Sequence, residues 1–249
     1  MKSKSIPISV LFVVAVIFSS LSAKAQLSLD IEGGAVITGY NNVRVPGDAG
    51  TLFSLTDDLN AKPTTFMRLR AGYTIKLRHT ISVLYAPLTV KSDGSATFPI
   101  DFEGVTFPAN TPLDASYTFN SYRITYRYDF VKRPKFELGL GVTAKIREAE
   151  IALKSQGLAS SKTNVGFVPI INFRLNWIMN EKFGLLLEGD ALAAPQGRAE
   201  DVLIAITYNL LDKVVLKTGY RILEGGADND EVYNFSLFNY AVVGLSISL

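Results

Sequence analysis

The chain has 249 residues, 48% of them hydrophobic and 19% charged, with a formal charge of +2 and no cysteine. So small a net charge does not point to nucleic acid, and the missing thiol excludes disulfides, thiolate chemistry and a lipid-anchoring cysteine. After the first segment there is no apolar run of roughly 18 or more residues, the length a membrane helix needs, so any crossing must be made by strands.

Lys2 and Lys4 form a basic start, Ile8 to Leu21 an apolar run, and Ala23-Lys24-Ala25 a small-x-small site before Gln26. This pattern predicts a secretory signal peptide over residues 1–25 and one domain over 26–249. Loss of Lys2, Lys4 and Lys24 with that segment moves the formal charge to about −1.

From Gln26 to Tyr40, Leu27, Leu29, Ile31, Ala35 and Ile37 alternate with Asp30, Glu32 and Thr38, the period of a strand with unlike faces. A loop with Asn41-Asn42, Pro46-Gly47 and Asp57-Asp58 as turn signals follows. Thr65 to Lys76 sets Met67, Leu69, Ala71, Tyr73 and Ile75 against Arg68, Arg70, Thr74 and Lys76, and a tight turn leads to Ile81, Val83 and Tyr85. The long connection Leu88 to Ser116 holds a candidate small hairpin, Phe98 to Phe107, about Glu103-Gly104.

Ser121 to Ile146 carries the clearest hairpin. Tyr122, Ile124, Tyr126, Tyr128 and Phe130 oppose Arg123, Thr125, Arg127 and Asp129. After Val131–Lys135 the split returns, with Phe136, Leu138, Leu140, Val142, Ala144 and Ile146 against Glu137, Gly139, Gly141, Thr143 and Lys145. A loop is expected from Ser155 to Thr163. Asn164 to Ile178 then alternates up to Trp177, with Pro169 predicting a bulge. Strands about Phe183–Ala191, Val202–Tyr208, Leu216–Ile222 and Tyr233–Leu249 complete the chain, with loops at Pro195–Glu200 and Glu224–Glu231.

The total is about ten strands. Short turns follow the even-numbered ones and longer connections the odd-numbered ones, so turns and long loops are sorted to opposite ends. A soluble barrel would share the period with its faces exchanged. Three features favour lipid on the apolar side: that loop sorting, more apolar volume than a small barrel's interior holds, and an aromatic girdle at the short-turn end (Tyr128, Phe130, Phe136, Trp177, Phe183, Tyr208).

These residues resemble the small outer-membrane β-barrel proteins of Gram-negative bacteria, over Leu27 to Leu249. The resemblance is architectural and points to no subfamily. It implies an all-β fold, a transmembrane antiparallel up-and-down β-barrel of about ten strands in contact with outer-membrane lipid. A monomer without cofactor or metal is expected. Members of that class often end on an aromatic residue. Here Ala241, Val243, Leu245 and Ile247 alternate as they should, but the last residue is Leu249, and Asn239 falls on the apolar face, which predicts a bulge there.

The second face carries Arg68, Arg70, Lys76, Arg123, Arg127, Lys145, Arg147, Arg174, Lys217 and Arg221 against Asp30, Glu32, Asp129, Glu137, Glu188 and Asp190. Such charges belong in a lumen, either as a salt-bridged filling or as the wall of a narrow, weakly anion-selective channel. Lumen width grows with strand number, and ten strands favour the filling, with Arg68, Arg70, Arg123 and Arg127 expected to pair with Asp30, Glu32, Asp129 and Glu188. A structural or surface-interaction role follows, with the channel as alternative.

An enzyme is not expected. The outer-membrane proteases that the resemblance brings in use a histidine among acidic residues near the long loops, whereas the sole histidine, His79, follows a short turn. A carboxylate-only hydrolytic site such as Glu188/Asp190 is the residual catalytic reading. Gly139 to Ala144 matches G-x-G-x-x-A, but no βαβ pattern surrounds it. Glu200-Asp201 and the run Glu224, Asp228, Asp230, Glu231 read as solvated loop acids without calcium-loop spacing, with Arg198–Glu200 and Arg221–Glu224 as rim pairs.

Overall fold

A computed structural model describes residues 26–194 and 197–249; the signal peptide read over 1–25 and the loop positions Pro195 and Gln196 lie outside the described residues. The described residues form strands only: β1 (Gln26–Arg44), β2 (Phe53–Ser54), β3 (Leu59–Ala61), β4 (Thr64–Ile75), β5 (His79–Ala86), β6 (Thr89–Gly94), β7 (Ile100–Phe102), β8 (Val105–Phe107), β9 (Leu113–Arg133), β10 (Phe136–Ser155), β11 (Leu158–Ile178), β12 (Phe183–Ala194), β13 (Gly197–Leu211), β14 (Val214–Asp228) and β15 (Tyr233–Ser248). The strands from β10 to β15 pair in chain order, β15 pairs β1, and β1, β4, β5 and β9 follow. The ladder between β9 and β10 then closes an antiparallel barrel of 10 staves. Closure leaves no stave with two unpaired edges, which is what permits strands to sit in lipid at all.

The alternation in β9 and β10 keeps its phase along each strand while its chemistry inverts. In the lower part of β10 the outward residues are Leu140, Val142 (64% exposed) and Ile146, and the inward ones are Thr143 and Lys145. Beyond Arg147 the outward residues become Glu148 and Lys154, while the inward Ile151 and Leu153 are buried. β9 changes at the same level, from outward Tyr122 and inward Arg123 to outward Asn120 and inward Tyr117 and Ala115, and Asn120 lies opposite Glu148. From Phe136 to Ile146 is about eleven residues, which at the usual tilt span a hydrocarbon layer. Above that level the strands leave the bilayer and water is the outer solvent.

The projecting parts of β9, β10 and β11 enclose a small soluble-type core. β6 pairs with β9 (Thr89 opposite Thr118), β3 with β6, and β2 with β1. Phe53, Leu55, Phe102 and Phe107 are buried with Ile151 and Leu153, and Phe53 meets Phe102 edge-on at 6.4 Å. The β7/β8 hairpin turns at Glu103-Gly104, where the sequence placed a small hairpin. It is tied inward by Glu103 N–H donating to the Val45 carbonyl (3.1 Å) and by Lys162 pairing with Glu103 (3.0 Å).

Several loop expectations need correction. Ser155–Thr163 is no loop: β10 and β11 run on to a tight turn at Gln156-Gly157, both at positive φ (45° and 86°), the geometry of a two-residue hairpin. Glu224–Glu231 is strand as far as Asp228. Gly197–Glu200, read as loop, opens β13. Lys76 sits in the short turn, exposed, and not on the lumen wall. Pro169 makes no bulge. It pairs in register with Ala144, and the β11–β12 ladder starts only at Ile171, so the proline faces an edge where its missing N–H leaves no bond unmade. The irregularity expected at Asn239 lies on the neighbouring strand, between Thr38 and Tyr40, and the Asn239 amide oxygen accepts from the Tyr220 hydroxyl.

Candidate functional site: the charged lumen

Inward positions of eight staves meet across the barrel axis. Asp201 of β13 is 2% exposed and accepts from three guanidinium groups: Arg68 of β4 (3.0 Å), Arg123 of β9 (2.5 Å) and Arg221 of β14 (2.5 Å). Glu32 of β1 faces Lys217 (2.7 Å), Arg221 (2.9 Å) and Arg68 (3.3 Å). Asp190 of β12 takes Arg123 (2.6 Å), the Thr143 hydroxyl (2.7 Å) and the Asn172 amide (2.9 Å). Towards the short-turn end Glu188 holds Arg70 (2.9 Å) with Arg174 at 3.9 Å, and Asp30 holds Lys217 (2.8 Å). Asp129 holds Arg127 (2.9 Å), and Glu137 meets Lys132 (2.5 Å) and the Asn176 amide.

β4 and β9 lie on opposite sides of β13 around the wall, so Asp201 bridges the cross-section. Each carboxylate must hold at least one cation here, because an unpaired charge in a space this dry is costly. Small side chains make room for the filling: a Cβ on Gly139 would meet the Asp129 carboxylate at 2.2 Å. The G-x-G-x-x-A match therefore lies inside a barrel stave, with strand and no helix after it.

Arg68–Glu32, Arg70–Glu188 and Arg127–Asp129 join residues that sequence reasoning grouped together, but Arg123 turns to Asp190 and Asp201, and Asp30 to Lys217. Asp201, expected in a solvated acidic loop, lies buried on the lumen wall. Its parity with Leu203, Ala205 and Thr207, opposite Val202, Ile204 and Ile206, was the available signal. Neither rim pair forms as expected. Arg198 binds Glu224 (2.6 Å), which the Tyr40 hydroxyl also reaches, and Arg221 points down to Glu32 and Asp201. Lys145 and Arg147 face inward but join none of these ion pairs.

On the outer face, Tyr128, Phe130, Trp177 and Phe183 are exposed at the short-turn end, Phe136 lies opposite Trp177, and Phe183 packs on Tyr208 with ring centroids 5.2 Å apart. His79 is outside too, its Nδ1 2.9 Å from the Tyr126 hydroxyl and remote from the lumen acids. Below the ion-pair layer a cavity of about 280 Å³, lined by Asp30, Arg70, Arg127, Arg174 and Glu188 among others, reaches the short-turn mouth.

An apolar belt facing outward around a charged interior defines a transmembrane β-barrel of the bacterial outer-membrane type. No family model and no curated sequence matches this chain. Among solved structures it is similar to the outer membrane protease OmpT from Escherichia coli, with TM-score 0.51, 11% identity, and 90% of this chain and 97% of that one covered. It also matches the transport unit of the autotransporter AIDA-I from Escherichia coli (TM-score 0.47, 8% identity, 92% of each chain). A third match is the attachment invasion locus protein Ail of Yersinia pestis (TM-score 0.42, 10% identity, 91% and 100%). At 11% identity the likeness to OmpT is one of fold.

Proposed function

We propose that this protein is a sealed, non-enzymatic, monomeric outer-membrane barrel whose role is to hold its folded outer cap at the cell surface. What carries the reading is two closures in series: the ion-pair layer centred on Glu32 and Asp201, and above it the apolar core of Phe53, Phe102 and Phe107. An ion following the axis would have to break charge-assisted bonds of 2.5–3.0 Å and then cross a hydrocarbon-like plug. The carboxylates of a Glu188/Asp190 hydrolytic site are already held by Arg70 and Arg123, which leaves no free base to act on water. In planar bilayers the purified barrel should show no steady current. Stable openings in the unmodified protein would overturn the sealed reading, and anion selectivity in them would establish the channel that the excess of inward cations favours.

A further inference from the structure

The ladder between β11 and β12 stops at Ile171 and Ala191, while β11 continues upward to Leu158 paired only with β10. The wall therefore has a notch, and its lower corner sits where the apolar belt ends, beside outward Phe167 (67% exposed) and Pro169. Behind the notch lies a cavity of about 510 Å³ between the ion-pair layer and the cap. It is lined by Phe119, Phe238, Leu223, Leu192 and Val168, and it runs out to Phe167, a residue that also lines a groove on the outer surface.

Two cations face this cavity. Lys145 is 3% exposed yet makes no ion pair and no hydrogen bond among the described residues; its ammonium lies over the Phe119 ring, 4.9 Å from the centroid. Arg147 lies across Gly166, donates to the Asn164 amide oxygen, and leaves its Nε without a partner. Arg68, Arg70, Arg123, Arg127, Arg174, Lys217 and Arg221 all have a carboxylate within reach. Among the described residues neither cation has a carboxylate within ion-pairing distance, so the cavity offers an outside anion two positive groups beside an apolar wall.

We propose that the notch cavity binds an anionic amphiphile, its carboxylate or phosphate-type head on Lys145 and Arg147 and its apolar chain along Phe119, Phe238 and the notch. Entry is from the side, at the level of the outer headgroups, and does not depend on whether the lumen conducts. Free acyl acids and anionic membrane lipids share this chemistry.

The test places a fluorescent reporter in the cavity, Phe119→Trp in a Trp177→Phe background, and titrates brominated dodecanoate, phosphatidylglycerol with brominated chains, and brominated dodecyl maltoside as the neutral control. Saturable quenching by the first marks a free acid as occupant; quenching by the second marks a membrane lipid. Lys145→Met and Arg147→Gln should each weaken it by about tenfold or more, as loss of a charge-assisted contact does. Arg147→Gln alone decides the matter if Lys145→Met does not fold. Quenching by the neutral control to the same degree, no saturable quenching by either anion, or affinity unchanged in the folded variants would each overturn the site.

Discussion

At the scale of single residues, Asp201 is the most demanding position, because three buried guanidinium groups share it and its removal leaves them only Glu32 and Asp190. Asp201→Asn should cost about 3–5 kcal/mol, read from urea unfolding in lipid vesicles, whereas Arg198→Ala at the exposed rim should cost about 1 kcal/mol or less. Equal losses at the two positions would mean that water reaches the inner layer freely. On the outer face, Leu140→Arg places a charge in the apolar belt and should cost about 2–4 kcal/mol near the midplane. Its neighbour Gly141 fails differently on substitution, since a Cβ there would meet the Tyr126 carbonyl oxygen at 2.0 Å, a clash with the adjacent stave's backbone. The inward charges were legible as a set, because period two sorts residues without knowing the fold. Their partners were not, because which inward residues meet across a barrel depends on tilt and register, which no local pattern records. Asp201 escaped because a pair of adjacent acids looks like a turn until the parity of the following strand is extended back over it.

For whole elements, the decisive finding is the inversion of polarity along β9 and β10. A tag at Gly157 should be labelled on intact cells and one at Pro134-Lys135 should not; the reverse pattern would turn the barrel over. Phe102→Ala should loosen the cap, exposing the Gln156-Gly157 hairpin to protease while the belt stays folded, since buried aromatic truncation costs about 3–5 kcal/mol and those contacts lie above the bilayer. Lower strand segments, and the sorting of short turns to one end, were readable because lipid imposes one rule on every stave. The upper segments look like loops in the sequence for a physical reason. Beyond Arg147 the apolar residues move to the other parity, so a search for one continuous apolar face ends there although the strand does not.

For the whole molecule, one chain is folded against two solvents. In the belt, apolar groups face outward and ion pairs inward; in the cap the order is that of a water-soluble protein. The two parts share β9, β10 and β11 but rest on different forces. Lowering pH should weaken the inner ion pairs before the cap, and a lipid-like detergent should protect the belt alone. Hydrogen exchange followed by peptide should therefore separate Glu188–Ala191 and Val202–Ala205 from Ile100–Phe107 as pH falls. Simultaneous loss of protection would show the two parts to be one cooperative unit.

The inverted upper strands also constrain how the molecule reaches its final place. Glu148, Lys154 and Asp114 point outward above the belt, so with the cap at the cell surface, as proposed, each must pass through the hydrocarbon layer before arriving in water on the far side. At a few kcal/mol per charge, a hairpin tip crossing alone would face a barrier that rises with the number of outward charges it carries. A partly rolled sheet could shelter those groups, and the cap's apolar residues would then stay uncovered until transit is complete. Spontaneous insertion should accordingly slow steeply as the host bilayer thickens. The outer cap would be the last part of the protein to become native.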